Sequence, residues 1–192
     1  MIFLKTKIGK ILKQLDKKVE VREKALKKQR KIVPLCAQAI RDVQKNKVKK
    51  AEKSVKEIEK IIKEIEKDLE EYPDLKNSVL GTPYQEYAEL MILITYLKNK
   101  RLPELNIPPQ YYLTGLGDAI GELKRTAMDY LGQGDLKKAE GLYKELEELN
   151  YLFSKQVYPN SIVPGLKQKQ DAARRILNNL YEQIVNYKIK KQ

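Results

Sequence analysis

Two pairs of carboxylates are spaced so that they could bind a cation together. Glu86 and Glu89 lie three residues apart in the segment QEYAEL, directly before the apolar run at residues 90–94. Asp118 and Glu122 lie four residues apart in GLGDAIGELKR. On a helix each pair shares one face, so an antiparallel pair of helices would bring four carboxylates together. Burying such groups costs free energy unless they are paired, protonated or bound to a cation.

A divalent cation is one answer to that cost. Four converging carboxylates repel one another and need positive charge nearby. Hard cations prefer oxygen ligands, and Mg²⁺, or Mn²⁺ in its place, suits a shell of carboxylate and water. An ion held in this way can activate water for phosphodiester cleavage. The spacing alone also fits two solvated helix faces, with Arg125 pairing with Glu122, so both interpretations stay open.

The composition excludes several kinds of chemistry. The chain has no histidine, which removes the commonest general base and metal ligand, and with it the Glu-x-x-His sites of diiron bundles. The single Cys36 cannot form an internal disulfide, which favours a cytoplasmic location. The longest purely apolar runs are far short of the roughly 20 residues of a membrane span, so no membrane partner is expected.

The net charge of +13 is concentrated at the two ends of the sequence. Residues 1–50 carry 17 basic and 4 acidic side chains, and residues 161–192 carry 7 and 2. Such basic segments are typical of a surface that binds a polyanion. They are equally typical of solvated helix faces, and charge alone does not decide between the two.

Apolar residues recur at helical spacing throughout the chain, and no segment shows the alternation of a strand. We therefore predict an all-α protein, a single-domain bundle of about seven helices over residues 1–192. The N-terminus is amphipathic, with Leu4, Ile8, Ile11 and Leu15 among lysines. Pro34 is expected in the first turn of the second helix.

The second half of the chain has clear helix start and stop signals. Thr82 is expected as an N-cap before Pro83, with Gln85 as the capping-box residue. Asp135 is expected to cap a further helix, and Pro164 to open the last one. The predicted helices cover residues 83–100, 110–131, 135–153 and 164–189. Three glycines in seven residues (Gly115, Gly117 and Gly121) indicate that another backbone or a ligand comes close.

The segments TPYQEYAEL, PPQYYLTGLGDAIGELKR and the following GQGD turn resemble the translin family, and within it the Trax branch most closely. The segments VREKALKKQRKIV and DAARRILNNLYE are looser matches, so the resemblance covers most of the chain. The linker RLPELNIPP is much shorter than the insertion that animal Trax carries there, and no nuclear-localisation tail is evident.

The resemblance implies an all-α subunit of a hollow oligomer that binds RNA and single-stranded DNA. It implies that Glu86, Glu89 and Asp118 are catalytic, and that these three with Glu122 hold Mg²⁺ for endoribonuclease activity. Glu89 is the residue that distinguishes Trax from translin. Translin carries a basic nucleic-acid-binding segment where this chain has QEYAEL, so RNA must contact other basic residues. Eight copies of this chain are the expected assembly.

Three functions remain to be separated. The leading expectation is a Mg²⁺-dependent endoribonuclease that cuts single-stranded or short duplex RNA. A non-catalytic protein that binds single-stranded RNA or DNA is the alternative. A helical scaffold that binds only protein is the third, and it predicts no affinity for RNA even at low salt.

Overall fold

The computed structural model describes the backbone of residues 2–191 and the side chains of residues 6–191, and over this range it contains helices and turns but no strand. The helices are α1 (Ile2–Gln29), α2 (Ile32–Gln44), α3 (Val48–Asp68), α4 (Lys76–Asn99), α5 (Pro109–Gly132), α6 (Leu136–Ser154) and α7 (Leu166–Ile189). One 3-10 turn, Pro73–Leu75, precedes α4. The predicted all-α class is confirmed. Within the described residues, no helix combines the length and apolar character that a membrane span requires.

Contacts between Cα atoms group the chain into two compact units, Met1–Pro83 and Tyr84–Gln192. The boundary falls inside α4, at its internal proline. The expectation of a single domain over residues 1–192 stays a prediction. The four acids of interest all belong to the second unit.

In the first unit, α3 packs against both α1 and α2. Its buried face includes Ile58, Ile62 and Ile65, which recur at helical spacing. Ion pairs tie α1 to α3: Asp68 accepts Lys28 at 2.8 Å and Lys24 at 3.3 Å. Part of the basic N-terminal run is therefore neutralised within the subunit.

The first half of α1 leaves its apolar stripe on the surface. Ile8, Ile11, Leu12, Leu15 and Val19 recur at helical spacing, and each is between 48% and 59% exposed. The side chain of Leu4, predicted in the same stripe, lies outside the described residues. The amphipathic pattern therefore does not lead to burial within one chain, and self-association stays a prediction.

The predicted start of α4 is wrong. The helix begins at Lys76, and Pro83 lies inside it rather than at its first position, so Thr82 is not an N-cap. An internal proline loses one backbone hydrogen bond and costs roughly 3 kcal/mol. Burial offsets that cost, since Val79 and Leu80 before the proline and Tyr84 after it are at most 4% exposed. The local sequence at Thr82 and Pro83 is typical of a helix start, but packing of the neighbouring side chains keeps the helix continuous through this point.

In the second unit, α5 packs against both α6 and α7. One apolar cluster joins residues of α4 to α7: Ala88, Ile92, Leu116, Ala119, Ile120, Phe153, Val163, Leu166 and Ala173. Two of the three glycines allow the helices to come this close. A Cβ at Gly115 would lie 2.6 Å from the Gln85 carbonyl oxygen, and one at Gly117 would lie 2.8 Å from Lys169 Cβ. The predicted close approach is made by the α4 backbone at Gly115 and by side chains of α6 and α7 at Gly117.

The ends of α6 and α7 follow the sequence signals with one correction. Asp135 caps α6, as predicted, because its Oδ1 accepts the Lys138 backbone N–H at 3.1 Å. The last helix begins at Leu166 rather than Pro164, after Gly165 with φ of 77°. The Gly165 N–H donates to Asn160 Oδ1 at 2.9 Å, which holds this turn outside the helix. A left-handed φ suits glycine and interrupts a right-handed helix.

The glycines give a matched pair of substitutions. Gly115→Ala is expected to lower the free energy of unfolding by about 1–3 kcal/mol, because its methyl group would collide with the α4 backbone. Gly121→Ala is expected to raise it by up to about 1 kcal/mol, because its methyl would make an ordinary 3.6 Å contact with Ile176 Cδ1. Denaturant unfolding measures both. Equal effects of the two substitutions would contradict the close approach at Gly115.

Candidate metal and RNA-cleavage site

Close packing at Gly115 brings the two acidic segments together. A Cβ at this position would lie 3.0 Å from the Glu89 backbone nitrogen as well as 2.6 Å from the Gln85 carbonyl oxygen. The turn of α4 that carries Glu86 and Glu89 therefore lies directly against α5, one turn before Asp118. The sequence prediction that these two helices would pair their acids is consistent with this packing.

Asp118 is held from two sides, because both of its carboxylate oxygens accept a hydrogen bond. Gln85 Nε2 donates to Oδ2 at 2.8 Å, and Lys169 Nζ donates to Oδ1 at 2.5 Å. The Asp118 side chain is 24% exposed and that of Lys169 is 30% exposed. An amide from α4 and an ammonium from α7 thus hold a carboxylate of α5.

Glu89 shows that the four acids share one electrostatic environment. Burial, and after it the charges of Asp118, Glu86 and Glu122 in that order, raise the pKa of Glu89 to about 8. Burial and Asp118 also raise the pKa of Glu86. Lys169 opposes the increase of the pKa at both glutamates. Burial and neighbouring negative charge therefore outweigh the effect of Lys169 on the pKa of both glutamates.

The side chains do not form a ready-made coordination shell. Across the described residues, no three Asp, Glu or Cys side chains converge closely enough to hold a metal ion. The four carboxylates are near enough for their charges to interact, and Asp118 is engaged by Lys169. The ligand roles of Glu86, Glu89, Asp118 and Glu122 thus stay a prediction.

The donor set nevertheless fits a hard divalent cation in charge and in chemistry. It consists of carboxylate oxygens only, and burial together with neighbouring negative charge raises the pKa of Glu89, an effect that a bound cation would oppose. Carboxylate oxygen is the ligand that Mg²⁺ and Mn²⁺ prefer, whereas soft metals favour thiolate or imidazole. The side chains would have to rearrange before three of these groups could contact one ion.

Two residues of this site were not assigned from the sequence. Gln85 was expected to cap a helix, but it bonds Asp118. Its position four residues before Glu89 places it on the same face of α4, which is a signal that the sequence does contain. Lys169 comes from α7, more than forty residues away from Asp118 along the chain. No local pattern connects those two, so only tertiary packing identifies the pair.

The raised pKa of Glu89 predicts a pH dependence of stability in the absence of divalent ions. The folded protein keeps a proton up to about pH 8 that the unfolded chain releases near its ordinary value of 4.5. The free energy of unfolding should therefore fall as the pH rises between these values. Glu89→Gln should weaken that dependence, measured by denaturant unfolding in chelator at several pH values. Glu52→Gln, on an exposed position of α3, is the control and should keep the wild-type slope.

Comparison with known proteins shows which proteins the whole chain resembles. No protein-family model matches the sequence. An uncharacterised protein of Methanocaldococcus jannaschii is 30% identical over 182 residues, which cover 92% of this chain and 81% of that protein. The relationship therefore extends over nearly the whole sequence rather than over the acidic segments alone.

Three solved structures share the fold. AfC3PO is 26% identical with a TM-score of 0.86, and the match covers 96% of this chain and 98% of that one. AfC3PO in complex with duplex RNA is 25% identical with a TM-score of 0.86, over 96% and 97% of the two chains. Apo-NeC3PO is 25% identical with a TM-score of 0.82, over 94% and 96%. C3PO, the component 3 promoter of RISC, is a translin-family assembly, and this chain belongs to the translin family as a Trax-like member.

Proposed function

We propose that this protein is a Mg²⁺-dependent endoribonuclease that cuts single-stranded or short duplex RNA inside a hollow oligomeric shell. The observation that carries the proposal is the electrostatic coupling of Glu89 to Glu86, Asp118 and Glu122. Four half-buried carboxylates, which carry negative charge when ionised, form a site for a cation. In a surface that attracts phosphate, such a site suits cleavage of the phosphodiester bond.

Similarity and charge together support RNA as the substrate. AfC3PO, with which the chain shares its fold, forms a complex with duplex RNA. The net charge of +13 favours binding to a phosphate backbone through counterion release and without sequence preference. Some of the N-terminal lysines, such as Lys24 and Lys28, are already paired with acids of the subunit. The remaining exposed basic side chains, including Arg175 on α7, are better placed to meet RNA.

Each residue of the site has a separate role in the proposed reaction. Glu86, Glu89, Asp118 and Glu122 would hold the cation. A bound Mg²⁺ lowers the pKa of its water and offsets the charge of a phosphate. Gln85 keeps the Asp118 carboxylate oriented through the bond to Oδ2. As a ligand, Glu89 would be ionised and would give up the carboxyl proton that burial lets it keep, because ligating carboxylates are deprotonated.

A non-catalytic protein that binds single-stranded RNA or DNA is the second candidate. The observation that favours it is the lack, within the described residues, of three acidic or thiol side chains converged to ligate one ion. The pairing of Asp118 with Lys169 points the same way. RNA binding without cleavage would follow if these acids never gathered around a cation.

Cleavage of labelled RNA separates the two candidates. The wild-type protein should produce fragments with Mg²⁺ and none with chelator. Glu89→Gln and Asp118→Asn should each lower the rate by about 100-fold or more, because each removes a charged oxygen from the site. Gel retention of RNA in chelator should stay close to wild type, since neither change removes a basic group.

Glu52→Gln serves as a matched control, because it makes the same chemical change on an exposed face of α3. It should cut RNA at the wild-type rate. Retention of RNA by the wild type without fragments at any Mg²⁺ or Mn²⁺ concentration would favour the binding protein instead. Cleavage at the wild-type rate by folded Asp118→Asn would exclude this carboxylate from the reaction.

A further inference from the structure

Lys169 is positioned by the core of the second unit rather than by chance contact at the surface. Its Cβ lies against Gly117, where an added methyl group would be only 2.8 Å away, so α5 and α7 meet at this point. Gly117 is also the residue directly before Asp118. The base of the lysine side chain is therefore fixed beside the carboxylate that its ammonium contacts.

The next residue on α7 fixes the rotation of the helix. Gln170 is 5% exposed, and its Nε2 donates to the carbonyl oxygens of Phe153 and Gln156, both at 2.8 Å. These carbonyls lie at and just beyond the end of α6, so the amide bonds α7 to that end. A buried amide with two satisfied bonds resists rotation of the helix, because turning it would leave polar groups unpaired. This constraint keeps Lys169 directed toward Asp118.

The ammonium of Lys169 acts on the whole cluster. It contacts Asp118 Oδ1 at 2.5 Å, and its charge also favours the ionised forms of Glu86 and Glu89. A divalent cation bound by the same carboxylates would supply the same kind of stabilisation with twice the charge. The ammonium and the cation cannot both occupy the same lone pairs of Asp118, and their charges repel.

We propose that Lys169 is a built-in counter-cation of the acidic cluster, which neutralises and positions Asp118 while no divalent ion is bound and which an incoming ion displaces. This inference rests on the proposed function, because it requires that the cluster bind a divalent ion. It assigns Lys169 as a positioning residue that acts through Asp118. It also explains why three ligands are not converged in the described residues, since one of them is held by the ammonium.

Calorimetric titration of Mg²⁺ into the metal-free full chain, without RNA, tests the inference directly. Lys169→Gln should bind Mg²⁺ more tightly than the wild type, with Kd lower on the order of tenfold, because no ammonium competes for Asp118. Lys169→Arg keeps the charge and should bind Mg²⁺ like the wild type. Lys167→Gln is the matched control, since Lys167 lies on the same helix and pairs with Asp171 at 3.1 Å; it should leave Kd within twofold of the wild type.

The outcomes distinguish a failure of the inference about Lys169 from a failure of the proposed metal site. Unchanged or weaker binding of Mg²⁺ to Lys169→Gln, with wild-type binding that Asp118→Asn abolishes, would overturn the role of Lys169 and leave the proposed function intact. Absence of Mg²⁺ binding in the wild type and in Lys169→Gln would overturn both.

A second measurement uses the wild-type protein and so does not depend on how a variant folds. Acetylation of lysines by a water-soluble reagent, followed by mass spectrometry, reports how accessible each ammonium is. Saturating Mg²⁺ should raise the labelling rate of Lys169 several-fold as its bond to Asp118 is lost, while that of Lys167 stays constant. Labelling of Lys169 that Mg²⁺ does not change would show that the ion leaves the Lys169–Asp118 pair in place.

Discussion

The contact between α4 and α5 at Gly115 is the constraint on which the candidate site depends. It allows the backbone of residues 85–89 to lie against α5, and this closeness gives the acids of the two helices a common electrostatic environment. Like charges brought together raise the free energy of the folded state unless protons or cations compensate. The proton retained by Glu89 and the ammonium of Lys169 each compensate part of this charge.

The proton on Glu89 and the ammonium of Lys169 differ in whether they can exchange with solvent. The proton on Glu89 comes from solvent and is lost as the pH rises past about 8. The ammonium of Lys169 is part of the fold, because the contact at Gly117 and the buried amide of Gln170 place it. A site with one exchangeable and one covalently attached counter-charge can remain stable when it is empty.

The two units of the chain use their basic residues differently. In the first unit, lysines of α1 pair with acids of α3, and these pairs bind the helices to each other. In the second unit, Lys169 directs its charge to the acidic cluster, while Arg174 and Arg175 of α7 stay exposed. The excess of positive charge therefore includes both lysines that hold helices together and basic side chains that stay exposed, and the net value alone does not separate them.

Periodicity in the sequence determined the helices, because apolar spacing decides which face can be buried. Spacing also placed Glu86 with Glu89, and Asp118 with Glu122, on common faces. Asp135 was identifiable as a cap because the bond that it accepts spans only three residues. The start of α4 was not identifiable from the sequence. The packing of Val79, Leu80 and Tyr84 outweighs the free-energy cost of Pro83 inside the helix. Tertiary structure alone decided that Gln85 bonds Asp118 and that Lys169 reaches it from α7. The physical reason is range: caps and helical faces arise from neighbours within about four residues, whereas these partners meet only after the glycines of α5 let three helices pack together.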